Sequence, residues 1–353
     1  MPKDFKPHFT ATGIGSLPHL EVGQAVSDVL ERLPEMPYWP QLPARSPLED
    51  MNLQYAPACY PVLTADPGRR EVLAHPDLSR EEALAAFYER LLGEDLTTFG
   101  LGEAEAAGFH AFLQTVGRAP AGAYPWVKGH VTGPLTLAAA VTGRDGKALV
   151  FDDELAEAVA RGLGAAAAAQ AAQMAPLGRP LMIFFDEPYL SGYGSAFTPV
   201  NRETVLGLLA ASFEELTSRA PEVVIGVHCC GNTDWGLLIE AGADVLNLDS
   251  AGYGRHLLLY PEALAQLFAR GGAVAWGAVP TDNFRGDETA AGLWQGLEAL
   301  LNELAAKGFD RQTLADQALV TPACGMGSLN AEKARRILDL TGAVSRLARE
   351  NWR

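Results

Sequence analysis

A chain of 353 residues, 48% hydrophobic and 20% charged, has ample material for a globular core and no shortage of surface charge. Its formal net charge of -16 and sequence pI near 4.9 argue against nucleic-acid or anionic-membrane partners, both of which require basic patches. No apolar run reaches membrane-spanning length and the opening MPKDFKPHF lacks a signal peptide's apolar centre, so a cytoplasmic protein is expected.

In chain order, short apolar runs alternate with amphipathic helical stretches, the pattern of parallel strands joined by helices. The spacing predicts strands over Phe9 to Ile14, Met36 to Leu42, Trp126 to Val131, Leu181 to Phe185, Val223 to Val227, Val245 to Leu248, Ala273 to Trp276 and Ala318 to Val320. Between the second and third of these, Asp66-Pro67-Gly68 separates two short β-prone runs and predicts a hairpin inserted after the second strand. Helices are expected around Arg80 to Leu92 and Leu101 to Val116, and the alanine-heavy run from Leu163 to Ala175 is a strong helix former. Eight strands alternating with helices fit a (β/α)8 TIM barrel, one domain over residues 1–353. A doubly wound open sheet is the alternative, but no G-x-G-x-x-G turn follows the first strand.

In a barrel of this kind, functional side chains gather at the carboxyl ends of the strands. Those ends carry Gly15-Ser16, Thr132-Gly133-Pro134, Asp186-Glu187-Pro188, His228-Cys229-Cys230, Asp249 and Cys324. Extended backbone alternates its faces, so His228 and Cys230 share one side while Cys229 points to the other. An imidazole and a thiol two residues apart form a two-ligand clamp of the type zinc favours. Alone, the pair reads more readily as a half-buried histidine beside a core cysteine, because a zinc site needs three or four ligands. Asp249 and Cys324 end later strands and are candidates for the remainder. Asp186 and Glu187, directly after LMIFF, place at least one carboxylate at the mouth, although helix N-termini attract carboxylates too. The glycines and the Thr-Gly-Pro turn have purely conformational explanations. The four cysteines are too sparse for a disulfide framework, and Cys59 reads as a core residue. Histidines 8, 19, 75, 110 and 256 show no ligand spacing, and His130 is expected to lie packed within a strand.

Taken together, TGIGSLP (12–18), VTGPLT (131–136), DEP (186–188), H-C-C (228–230), ADVLNLD (243–249) and TPACG (321–325) resemble, in the same order, the catalytic domain of cobalamin-independent methionine synthase. The resemblance implies zinc held by His228, Cys230 and Cys324, with Asp249 where that family has a glutamate one methylene longer. It also implies that Ile14, Gly15 and Ser16 hold the carboxylate of homocysteine and Asp186 its ammonium. Zinc would make the acceptor thiol, ordinarily of pKa about 8.5, a thiolate able to attack a methyl group.

Three departures from the family bear on the methyl donor and acceptor. The chain has no room for the amino-terminal barrel that helps bind methyltetrahydrofolate. WGAVPT (276–281) lacks the histidine associated with protonating the departing folate nitrogen, and a glutamate that contacts the amino acid is replaced near Leu53, with Asn52 and Gln54 adjacent. Cobalt leaves a methylcorrinoid without a proton, so methylcobalamin or a corrinoid protein is the expected donor, as in short core-type methionine synthases. A methylcobamide-dependent methyltransferase for another small thiol is the runner-up. A uroporphyrinogen-decarboxylase-like lyase and a non-catalytic zinc- or corrinoid-binding module are the remaining alternatives; the lyase would call for a more basic chain.

Overall fold

The computed structural model describes residues 5–93, 95–120, 122–196 and 198–352. Its strands are β1 (Thr10–Ala11), β2 (Leu63–Asp66), β3 (Glu71–Ala74), β4 (Val127–Thr132), β5 (Leu181–Asp186), β6 (Val224–Cys229), β7 (Val245–Asp249), β8 (Ala273–Val279) and β9 (Ala318–Pro322). Seven of them form one curled parallel sheet in the order β1-β9-β8-β7-β6-β5-β4, a mixed α/β arrangement of the TIM-barrel type. Helices lie between successive strands, the longest being Asp153–Met174 before β5 and Arg202–Arg219 before β6. β2 and β3 stand apart as an antiparallel pair on either side of the Asp66-Pro67-Gly68 turn.

Period-two alternation sorts the strand residues between two apolar cores. Met182, Phe184, Val224, Val245, Ala275 and Leu319 fill the concave side, whereas Ile183, Phe185, Ile225, Val227, Leu246 and Leu248 meet the helices. Burying each of the larger side chains contributes roughly 1.5–3 kcal/mol. The concave side is narrow, and Gly226 lies under the Phe184 ring where an added Cβ would sit 2.0 Å from a ring carbon.

Two strands differ from expectation. Phe9 to Ile14 contracts to Thr10–Ala11: left-handed backbone at His8 and Phe9 (φ 44° and 60°) delays its start, and Thr12, Gly13 and Ile14 fall outside the strand at its other end. Met36 to Leu42 forms no regular strand, since Pro37 and Pro40 remove two of the N–H groups a ladder would use. The segment around the prolines bonds in both directions nonetheless. On one side Lys128 N–H donates to Pro37 (2.9 Å) and Trp126 N–H to Glu35 (3.1 Å). On the other, Gln41 N–H donates to Gly15 (3.1 Å) and Leu17 N–H to Gln41 (2.8 Å).

The helix Ala107–Gly117 buttresses this proline-rich segment through Gly108, where a Cβ would lie 1.9 Å from the Pro40 carbonyl oxygen. Gly108→Ala is therefore expected to lower stability by about 1–3 kcal/mol, seen as a reduced urea midpoint. Gly207→Ala, in a helix and with nothing within 4 Å of the new methyl, should raise it by roughly 0.5–1 kcal/mol.

Candidate active site

The parallel ladders align one row of residues across the carboxyl half of the sheet. Thr132 pairs with Asp186, Asp186 with His228, His228 with Asn247, and Asn247 with Ala275. Paired residues of a parallel ladder point to the same face, so Asp186, His228 and Asn247 converge above the concave core. β6 runs two residues further than expected, carrying His228 and Cys229 inside the strand. Cys229 turns into the outer core with its thiol against the Gly231 carbonyl (3.7 Å), and burial pushes that thiol up to about 12. Cys230 falls on the other face and meets Cys324, just beyond the end of β9.

One donor atom from each of His228, Cys230 and Cys324 lies within 4.8 Å of the others. Metal bonds of about 2.0–2.3 Å nearly span that spread, and an N/S/S set matches zinc. The thiols share charge unequally. A hydrogen bond from the Cys324 thiol, and a second from His228, bring Cys230 down to about 4, while Cys324, as donor to that thiolate, is pushed up. This is one ready thiolate and one thiol that loses its proton when a cation arrives.

The imidazole is oriented by Asn247, a residue that sequence reasoning missed. Asn247 Nδ2 donates to the Ala275 carbonyl and to Thr321 Oγ1, each at 2.8 Å. A carbonyl only accepts, so the amide oxygen must face His228, whose Nδ1–H donates to it at 2.5 Å. That leaves Nε2 facing the cysteines, its proton held in the hydrogen bond to Cys230 until a metal would replace it, and an outer partner fixes the orientation of the ring. The available signal was a polar residue at a concave position of the otherwise apolar VLNLD strand.

The adjacent carboxylates of Asp186-Glu187 separate. Glu187 is wholly buried and accepts from the Leu135 and Thr136 N–H groups (2.9 Å each) and from Thr136 Oγ1 (2.6 Å), pinning the start of the helix Pro134–Ala140. Burial pushes its carboxyl up to about 7 despite those bonds. Asp186 stays beside His228, with Oδ1 buried and lacking a hydrogen-bond partner among the described residues. Burial raises Asp186 to about 6, against the pull of the His228 and Lys128 charges.

Asp249 lies outside the three-residue cluster. Its Oδ1 accepts from Ala251 and Gly252 N–H (3.0 Å each), capping the short helix Ser250–Tyr253, and burial raises its pKa. Ile14, Gly15 and Ser16 flank the cluster from the Cys324 side. Gly327 N–H donates to Ser16 Oγ (3.1 Å) and Met326 N–H to the Ser16 carbonyl (2.9 Å), which stitches the loop after Cys324 onto this turn. Gly15 is pressed against the His130 ring, 2.8 Å from where a Cβ would be, and His130 in turn stacks on Trp39.

No family model matches the sequence, and no curated protein matches it. Among solved structures, the chain is similar to a B12-independent methionine synthase from Shewanella sp. W3-18-1 solved with selenomethionine. Identity is 21% over 68% of this chain and 67% of that one, with a TM-score of 0.46. A Listeria monocytogenes protein provisionally described as a vitamin-B12-independent methionine synthase is 16% identical over 94% of this chain and 86% of its own, with a TM-score of 0.49. Likeness at that level fixes neither activity nor methyl donor. Among the described residues, no helix is long and apolar enough to cross a membrane.

Metal content provides the test of the cluster. Cys230→Ser and Cys324→Ser are expected to lose stoichiometric zinc, whereas Cys229→Ser, on the opposite face, should retain it. Asn247→Ala should weaken zinc by about ten- to a hundredfold in a chelator competition while leaving the fold intact. Equal loss from all three cysteine variants would remove the assignment.

Proposed function

We propose that the protein is a zinc-dependent thiol methyltransferase whose acceptor is homocysteine and whose donor is a methylcorrinoid. The observation that carries this reading is the N/S/S cluster at the carboxyl rim, flanked by a buried carboxylate oxygen that has no partner among the described residues. Three protein ligands with a fourth position free is the pattern of a reactive zinc site rather than a structural one. In this reading the whole chain is a single barrel, closed where residues 35–41 bond both to β4 and to the chain after β1. The β2–β3 hairpin is an insertion after that eighth stave.

The roles follow from the positions. His228, Cys230 and Cys324 hold the metal, and Asp249, with one oxygen engaged on its helix cap, stands outside the ligand set. Bound zinc supplies the charge that keeps the acceptor sulfur deprotonated at neutral pH. Asp186 receives the ammonium of the acceptor, which gives its lone oxygen the partner it lacks. Ser16, whose oxygen accepts from Gly327 N–H, still has its own O–H to donate to the acceptor carboxylate. Holding the amino acid at both ends aims its sulfur along one line, and orientation of that kind is worth several orders of magnitude in rate.

The donor assignment rests on proton supply. Val279, Pro280 and Thr281 at the end of β8 offer no acid, and Asp282 beyond them is exposed. A folate amine needs a proton to leave, whereas cobalt does not. Both similar solved proteins are described as B12-independent, so the donor is the point on which experiment must decide. Zinc-loaded protein with homocysteine should form methionine from methylcobalamin. The rate from methyltetrahydrofolate should be lower by about a hundredfold or more, the usual worth of general-acid help. Comparable turnover with the folate would overturn the corrinoid reading.

Asp186→Asn tests the acceptor. Its KM for homocysteine should rise about ten- to a hundredfold, with that for a simple alkanethiol nearly unchanged. Unaltered homocysteine kinetics would show that the ammonium is held elsewhere.

A further inference from the structure

Lys128 lies wholly buried on β4, four residues before the Thr132 end of the strand, and the proposed reaction leaves it without a role. Burying an ammonium costs several kcal/mol unless something within the fold requires it. Its Nζ donates to the Ile14 carbonyl at 2.5 Å, 4.3 Å from the centre of the Phe184 ring and 5.9 Å from that of Tyr38. The two rings contribute cation–π attraction, and Asp186 is the countercharge that acts on it.

The Ile14 carbonyl belongs to the turn that flanks Cys324, and its neighbours in that turn are held as well. Lys128 takes the carbonyl of residue 14, Gln41 N–H takes that of 15 and Met326 N–H that of 16. A trans peptide is planar, with its N–H directed opposite to its C=O. Holding the carbonyl of 14 therefore turns the Gly15 N–H away from Lys128, and holding that of 15 turns the Ser16 N–H away from Gln41. Among the described residues, neither of these N–H groups has a hydrogen-bond acceptor. Two successive backbone N–H groups without acceptors are donors that an anion can take.

We propose that Lys128 is a positioning residue for the acceptor's carboxylate: it grips the Ile14 carbonyl from inside the barrel, turns the Gly15 N–H toward the carboxylate and lays a positive charge behind it. The inference rests on the homocysteine reading above and adds a determinant of selectivity for α-carboxylate thiols. Lys128 touches neither the reacting sulfur nor the metal ligands, so its removal should leave zinc content unchanged.

The test is calorimetric titration of the zinc-loaded protein with homocysteine and with 3-aminopropanethiol, the same molecule without its carboxylate. Lys128→Met, which keeps the length and removes the charge, should weaken homocysteine binding by about ten- to a hundredfold. Binding of 3-aminopropanethiol should stay within about threefold. Equal weakening of both ligands would mean a scaffold role only, and unchanged homocysteine binding would mean no role; either overturns the proposal. If circular dichroism shows that Lys128→Met does not fold, Lys128→Gln, which keeps an N–H donor without the charge, is judged by the same comparison. A wild-type protein that binds the two ligands equally well overturns the acceptor reading along with the role of Lys128. One that prefers homocysteine while the variant does so equally overturns the role alone.

Discussion

The register of three adjacent parallel strands is the constraint on which the site depends. Because β5, β6 and β7 pair with Asp186 opposite His228 and His228 opposite Asn247, a carboxylate, a metal-type imidazole and the amide that orients it share one level. A slip of one residue in any of these ladders would carry its side chain to the helix-facing side, where the apolar core admits no charge. The apolar residues below the row resist such a slip, since Met182, Phe184, Val224 and Val245 would have to leave the concave core together. Packing energy spent on the fold is thus also what places the chemistry.

Much of this was readable from the residues. Alternation alone separates Cys229 from Cys230, and seven of the eight expected strands appear with their ends moved by at most three residues. The convergence of Cys324 with His228 and Cys230 required the order of the curled sheet, in which β8 and β7 stand between β9 and β6. The failures have local causes. Two prolines stripped donors from residues 36–42, and left-handed backbone at His8 and Phe9 delayed the start of the first strand. Neither is visible in hydrophobicity, which scored both segments as extended.

The polar interior was harder to read, because hydrogen bonds between residues distant in sequence leave no periodic trace. Asn247 joins β7 to β6, β8 and β9 through His228, Ala275 and Thr321, and Lys128 reaches a carbonyl 114 positions away. Such residues can be flagged in a sequence only as polar intrusions into apolar strands. Their partners, and hence their purposes, come from the topology. Asp249 is the converse case. Its position at a strand end is correct for a ligand, and it is the nearby helix start that engages one of its oxygens.

The split of Asp186 from Glu187 has a consequence for how this site changes over evolutionary time. Adjacent residues on a strand answer to different pressures when one faces the reaction and the other faces the fold. Glu187 ties β5 to the following structure of β4 through three hydrogen bonds, so replacement there is felt by every molecule, whatever thiol it meets. Among the described residues Asp186 makes no such tie through Oδ1. In the proposed reading, acceptor preference can therefore change at position 186 while Glu187 keeps the scaffold one residue away.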